Sequence, residues 1–229
     1  MAKDLHEIPA RRPNNRHRAG EPTGSPAFPP MKTLLSNVAE ILAGYQFRGR
    51  IPVYDPGTVG VIQGKDVRSD HTIDPSTIVR IKDDGGFDRF YVQKDDVLLM
   101  NRGSRNYAAI VETALTRTVT LSSFITLRPA QDRVHPRYLF WALNDAHVQD
   151  RLVSLARGSS IPNLSRSALA SLELPIPPLS EQIAITQLSD ALACEEKLTH
   201  DLFNARRRAL SLRVFGVVRR ERTHVVADE

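Results

Sequence analysis

The feature that most limits what this chain can fold into is a long stretch without glycine or proline, which begins at Ser180 and lasts until Gly216. The segment just before it, residues 172–179, carries three prolines, which prevent it from being helical. Ser180 is a suitable N-cap residue, and Glu181 suits the positive end of a helix dipole. We therefore predict a helix from Ser180 to about Arg213, which at about 1.5 Å per residue is about 50 Å long.

Apolar side chains recur along this predicted helix with a seven-residue period, interrupted only by Glu195. Amphipathic helices most often pack against their own chain, but a helix of this length extends beyond what the remaining domain can cover. The apolar stripe therefore needs a second helix, and its alanines allow close approach. We predict a homodimer or partner interface along it. The stripe consists of Leu188, Ala191, Leu198, Leu202, Ala205, Ala209 and Leu212.

The chain before this helix has the pattern of a β-rich domain. Short apolar runs are separated by Gly, Pro, Asp and Asn, as is typical of strands and turns. The sequence Asp83-Asp84-Gly85-Gly86 is typical of a hairpin turn between two of these runs. The predicted strands are Thr58–Ile62, Ile78–Lys82, Phe87–Val92, Val97–Met100, Ala108–Val111, Val119–Leu121 and Phe124–Leu127.

One helix is predicted within this domain, from Pro136 to about Gly158, because apolar residues recur there at helical spacing. Its apolar face should pack on the sheet, and Tyr138 and Trp141 beside that face should serve the core rather than stack on bases. The predicted fold class is α+β, a β-rich domain with a packed helix followed by a long C-terminal helix. We assign residues 1–30 to a disordered arm rich in Pro and Arg, 31–179 to the β-rich domain, 180–215 to the long helix and 216–229 to a flexible tail.

Several functional classes are disfavoured by the composition. No segment has the run of about 20 apolar residues that a membrane-spanning helix requires, and no apolar block follows the basic N-terminus, so we expect a cytoplasmic protein. Cys194 is the only cysteine, and no two histidines have ligand spacing, so neither a disulfide nor a metal site is expected. Phosphate-loop, dinucleotide, nucleophile-elbow and zinc-protease motifs are absent from the sequence. We therefore expect no cofactor and no catalytic residues.

The distribution of charge points to nucleic acid. The net charge is +5, and residues 102–137 contain six arginines against two acidic residues. Arginine can bind guanine and asparagine can bind adenine through paired hydrogen bonds, and both residue types are concentrated in the polar loops 101–107 and 157–163. A solvated loop without a ligand would have the same composition. The candidate DNA-binding residues are Lys65, Arg68, Arg102, Ser104, Arg105, Asn106, Tyr107, Ser159, Ser160 and Asn163.

Five runs in a fixed order resemble the type I restriction-modification DNA specificity subunit. The similarity covers about Leu34 to Leu212, and its most specific part is the proline-rich strand followed by Ser180-Glu181-Gln182-Ile183. The runs are Gln63–Val67, Lys94–Leu98 with Arg102-Gly103, Tyr138–Leu143, Gly158–Leu164 and Leu174–Ala184.

The resemblance implies a function and a set of partners. In this family a target recognition domain reads one half of a split DNA site, and the long helix is a spacer that seats methyltransferase subunits. The subunit itself neither cuts nor methylates DNA, since methyltransferase and restriction subunits do so. This sequence has one such domain and one such helix where the usual subunit has two of each, so the resemblance implies a half-length form that pairs and favours a palindromic, interrupted site.

Two other functions remain open at this point. A protein-interaction module with a helical stalk would show no salt-dependent DNA binding. A stand-alone nuclease that uses acidic groups near Asp83 or Asp95 would cleave DNA with added magnesium and without partners.

The loop assignment gives a first prediction. Arg105→Ala should relax base preference at one position of the bound sequence, because it removes a paired hydrogen-bond donor. Substitution of an arginine that contacts only phosphate should instead weaken binding to all duplexes alike and reduce the salt dependence. Competition binding with specific and non-specific duplexes at several salt concentrations separates the two outcomes.

Overall fold

The computed structural model describes residues 32–102, 106–156 and 163–225, with side chains described to residue 213. Over these ranges the chain forms nine strands and four α-helices, which confirms the α+β prediction. The strands are β1 (Lys32–Leu34), β2 (Ala39–Ala43), β3 (Val59–Ile62), β4 (Val79–Ile81), β5 (Val97–Met100), β6 (Ala108–Ile110), β7 (Thr118–Thr120), β8 (Phe124–Pro129) and β9 (Glu173–Pro175). The helices are α1 (Pro136–Asn144), α2 (Ala146–Leu155), α3 (Arg166–Ala170) and α4 (Leu179–Val225).

The central element is an antiparallel sheet with the strand order β2-β8-β5-β6. Both of its faces are buried: Val97 and Leu99 pack with the helices, whereas Leu98 packs with Phe124 and Ile62 on the opposite face. This explains why the sequence Val-Leu-Leu-Met lacks the alternation of a half-exposed strand. Apolar burial on both sides makes this sheet the framework of the domain.

A second sheet has the order β4-β3-β7, with β3 antiparallel to β4 and parallel to β7. The hairpin predicted between Ile78–Lys82 and Phe87–Val92 is wrong, because β4 pairs with β3 instead. Gly85 and Gly86 both have positive φ angles, 85° and 80°, and the chain bends at Gly85, within the predicted turn sequence. The chain that follows this turn does not return along β4.

Aromatic packing accounts for the path after that turn. Asp88–Phe90 forms a 3-10 turn, and Tyr91 bridges to Val119 of β7. The rings of Phe87 and Phe90 lie 4.8 and 5.2 Å from the ring of Tyr45, within the core of the second sheet. Packing of the buried Phe87 and the partly buried Phe90 against this core favours the observed path over the few ladder hydrogen bonds that a hairpin would supply.

The single helix predicted from Pro136 to Gly158 is also wrong, because two helices, α1 and α2, occupy this region. Asp145 separates them: its backbone is extended, with ψ 139°, and its side chain caps α2 by accepting a hydrogen bond from the His147 amide. Tyr138 and Trp141 do pack with the core, as predicted. The hydroxyl of Tyr138 donates to Pro175 O at 2.7 Å, and burial raises the pKa of Tyr138 to about 12.

Helix α4 is anchored to the domain by a buried glutamine near its start. The Gln182 side chain is fully buried; its Oε1 accepts from His135 N at 2.8 Å, and its Nε2 donates to Arg133 O at 3.0 Å and to Pro177 O at 2.7 Å. One side chain thus joins α4 to the proline-rich segment and to the start of α1. The last tie is an ion pair at 3.0 Å between Asp190 and Arg137.

Beyond Asp190 the helix leaves the domain, and every described side chain from Ala191 to Arg213 except Asn204 is exposed. The helix continues to Val225, so it extends past the end predicted near residue 215 and into the segment predicted as a flexible tail. Its one glycine, Gly216, costs a helix only about 1 kcal/mol relative to alanine, so neighbouring turns can accommodate it. In the described part of the chain, the apolar content of the helices falls short of what crossing a membrane requires.

The structure predicts that Gln182→Ala destabilises the protein. The substitution removes three partly buried hydrogen bonds, each contributing about 1 kcal/mol, and should therefore lower the free energy of unfolding by about 3 kcal/mol. Gln187→Ala is the matched control on the same helix, because Gln187 is exposed and should contribute less than about 0.5 kcal/mol. Urea denaturation measures both, and equal stability of the two variants would contradict the anchoring role.

Candidate nucleic-acid interface

An open cleft of about 730 Å³ lies where the β5–β6 connection, the 67–73 hairpin and the α1–α2 junction meet. Its floor is formed by Met100, Arg102, Asn106 and Tyr107, which we call the cleft floor. The hairpin contributes Val67, Arg68, Ser69 and His71, and the helices contribute Asn144, Gln149 and Val153. Most of these side chains are polar or basic, and the cleft is open to solvent.

The 67–73 hairpin is held in a defined shape by its backbone. Arg68 N donates to Thr72 O at 2.9 Å, and His71 N donates to Arg68 O at 3.0 Å. His71 has a φ of 61°, the left-handed conformation that closes such a turn. Ile110 N donates to His71 O at 3.1 Å, which fastens the hairpin to the free edge of β6.

An aromatic pair spans the cleft between the hairpin and the floor. The rings of His71 and Tyr107 stack with centroids 5.3 Å apart and an angle of 18° between their planes. Burial raises the pKa of Tyr107 above its ordinary value. Its phenol can donate or accept a hydrogen bond.

The described residues at one end of each polar loop, Asn101 and Arg102 in the first and Asn163 in the second, meet beside this cleft. Arg102 forms an antiparallel bridge with Asn163, and Leu164 N donates to Asn101 O at 3.0 Å. These contacts join residues that are about 60 positions apart in the chain. Sequence spacing gave no indication of this contact.

Among the predicted contact residues that the structure describes, Asn106 is the most buried, with 4% of its surface exposed. Its main-chain oxygen accepts from Gln149 Nε2 at 2.6 Å. Its side-chain Oδ1 is buried and has no hydrogen-bond partner among the residues that the structure describes. A buried acceptor without a partner is unfavourable, which marks this amide as a polar group that a donor could stabilise.

Only some of the predicted DNA-binding residues therefore lie together at the cleft. Arg68, Arg102, Asn106 and Tyr107 line the cleft, and Asn163 adjoins it through its bridge to Arg102. Lys65 is exposed on the 3-10 turn Gly64–Asp66 and does not line the cleft. The remaining candidates, Ser104, Arg105, Ser159 and Ser160, lie outside the described residues.

The positive charge counted between residues 102 and 137 is largely committed to ion pairs within the domain. Arg128 donates two hydrogen bonds to the buried carboxylate of Asp96, at 3.0 and 2.9 Å, and this pairing raises the pKa of Arg128. Arg117 pairs with Asp83. Arg133 pairs with Asp132. Arg137 pairs with both Glu112 and Asp190.

The basic groups at the cleft differ from these. Within residues 32–102, 106–156 and 163–213, Arg102 makes no ion pair. Arg68 pairs with Asp74 at 3.2 Å, but its side chain is 51% exposed. Hydrogen bonds from Ser76 and the nearby Arg68 hold the pKa of Asp74 below its ordinary value. The cleft therefore offers two accessible guanidinium groups.

Sequence reasoning missed the part of the cleft that the helices supply. The apolar periodicity predicts one continuous helix through Asn144 and Gln149, although the adjacent Asn144-Asp145 is a signal for a break, since both residue types favour helix ends. The sequence also assigns no role to His71, because no two histidines have ligand spacing. Among the described residues, no cluster of three His, Cys, Asp or Glu side chains could hold a metal ion.

Two solved structures match this chain with TM-scores above 0.5 and share its fold. The HsdS subunit from Thermoanaerobacter tengcongensis matches with a TM-score of 0.59 and 21% identity over 79% of this chain and 47% of its own. A chain from a study of complex assembly and conformational transition of the type I R-M system matches with a TM-score of 0.56 and 20% identity, over 78% of this chain and 41% of its own. The type I restriction-modification S subunit from M. genitalium matches with a TM-score of 0.48 and 20% identity, over 70% of this chain and 38% of its own. This chain thus spans less than half the length of each.

The identities to these solved structures are too low to assign the chain to a family, but a family model does so. No curated protein matches the sequence significantly. The model of the Type I restriction modification DNA specificity domain, however, matches residues 32–200, which are most of the chain. This confirms the family indicated by the order of motifs, and the chain belongs to the type I restriction-modification DNA specificity family, with one recognition-type domain followed by one long helix.

Proposed function

We propose that this protein is a sequence-reading subunit of a type I restriction-modification system and that the cleft is its DNA-reading site. The observation that carries the proposal is that Arg68 of the 67–73 hairpin and Arg102, Asn106 and Tyr107 of the cleft floor line one open cleft. Paired donors on arginine and asparagine suit the edges of guanine and adenine, respectively. The bridge from Arg102 to Asn163 supports including Asn163, the last residue of the second polar loop, at the edge of this site.

We further propose that methyltransferase subunits, and a restriction subunit, supply the chemistry, and that the protein directs them to a bipartite site. Two copies related by a twofold axis would present two identical readers, which suits a palindromic site with an unread spacer. The projecting part of α4 is the surface for pairing. Of the predicted stripe, Leu188, Leu198, Leu202 and Leu212 are 63, 63, 52 and 75% exposed.

The reading site is tested by selection of bound sequences from a random duplex pool, with and without a type I methyltransferase subunit. The wild-type chain should select a defined sequence. Arg102→Ala should weaken binding to that sequence by about tenfold or more and relax preference at one position, because one good paired contact contributes about 1–3 kcal/mol of discrimination.

Arg151→Ala is the matched control for the loss of one positive charge. Arg151 lies on α2 outside the cleft and donates to Glu173 O at 2.7 Å. Its substitution should leave the selected sequence unchanged. Failure of the wild-type chain to select any sequence, even with the methyltransferase subunit present, would refute the proposed function.

The pairing surface is tested by sedimentation over a range of protein concentrations. Leu198→Glu places a charge within the predicted stripe and should convert a dimer into a monomer, because burial of an unpaired charge is unfavourable. Leu210→Glu is the control, since Leu210 is off the stripe and nearly equally exposed, at 64% against 63%. A wild-type mass that stays monomeric at every concentration contradicts the homodimer.

A further inference from the structure

The backbone of the cleft floor is held from the helix side by two amide side chains. Asn144 Oδ1 accepts from Ala108 N at 3.0 Å, and Asn144 Nδ2 donates to Ala108 O at 3.1 Å and to Phe140 O at 3.0 Å. Gln149 Nε2 donates to Asn106 O at 2.6 Å. Both side chains therefore bind main-chain groups of the residues that flank Tyr107.

These contacts occupy a strand edge that would otherwise be free. β6 is the last strand of its sheet, and the outward-facing groups of Ala108 are paired by Asn144 in the manner of a neighbouring strand. The next outward amide, that of Ile110, is paired by His71 O. Strand β6, which supports the cleft floor, is thus fixed at two successive outward positions, by the side chain of Asn144 and by the 67–73 hairpin.

The break between α1 and α2 makes the double contact possible. Residues five positions apart in one continuous helix are rotated by about 140° about its axis, so a single helix could not turn both Asn144 and Gln149 toward the same strand. Asp145 interrupts the helix and caps the next one. Gln149 Nε2 also donates to Leu143 O, at the end of α1, so this side chain ties the junction together as well.

From this geometry we propose that Asn144 and Gln149 are positioning residues for DNA readout, which set the register in which Arg102, Asn106 and Tyr107 meet the bases. The inference rests on the proposed function of the cleft. Discrimination between bases depends on hydrogen-bond geometry. A cleft floor that can shift therefore retains its positive charge but loses its preference for particular bases. Attraction to phosphate depends on charge and distance and tolerates such a shift.

The experiment compares Gln149→Met and Asn144→Leu with the wild-type chain. Both substitutions keep side-chain size and remove the hydrogen bonds. Each variant should lower the ratio of specific to non-specific affinity by about tenfold, the scale of one mismatched base pair, while the salt dependence of non-specific binding stays unchanged. Because both residues hold the same backbone, both variants should lose selectivity at the same base positions of the selected sequence.

Gln187→Met is the matched control, since Gln187 is an exposed glutamine on α4. All variants are assayed at a temperature where urea denaturation shows them to be folded, and Gln149→Asn replaces Gln149→Met if the latter is too unstable. A purely structural role predicts lower stability with an unchanged selected sequence, and that result overturns the inference. If the wild-type chain itself selects no sequence, the proposed function fails, which is a separate and distinguishable outcome.

Discussion

The arrangement of this molecule depends on the hydrogen bonds of one buried side chain, that of Gln182. Its amide satisfies main-chain groups of two segments: Pro177 in the proline-rich passage before α4, and Arg133 and His135 just before α1. A buried amide with all of these partners fixes orientation as well as adding stability, since a shift of either helix would leave polar groups without partners. The direction in which α4 leaves the domain is therefore set within its first turn.

At the C-terminal end of α1, polar side chains likewise form hydrogen bonds with main-chain groups of another segment. Asn144 pairs with the edge of β6, and Gln149 pairs with the main chain of Asn106. The sheet behind them is buried on both faces and so has little freedom to move. The cleft floor thus lies between a rigid sheet and a helix junction. The long helix carries its apolar stripe away from the domain, so the proposed reading site and the proposed pairing surface are separate.

Much of the fold could be predicted from local pattern, and the errors have common causes. Most predicted strands lie within one or two residues of the observed ones, because apolar β-branched runs between turn residues are a local signal. The hairpin at Asp83–Gly86 was mispredicted because aromatic burial against Tyr45 redirected the chain. The helix break at Asp145 was missed because apolar periodicity continues on both sides of it. The arginine count overstated the free charge, since Arg117, Arg128 and Arg137 have partners distant in sequence.

The sequence by itself determined the long helix, its heptad stripe, the β-rich character of the domain and the family to which the order of motifs points. These features depend on residue type and short-range spacing, which tertiary contacts seldom override over so many residues. Only the tertiary structure decided which polar residues meet at one site. Arg102 and Asn163, or Ala108 and Asn144, become neighbours through sheet pairing and helix packing, and long-range contacts of this kind leave no trace in local spacing.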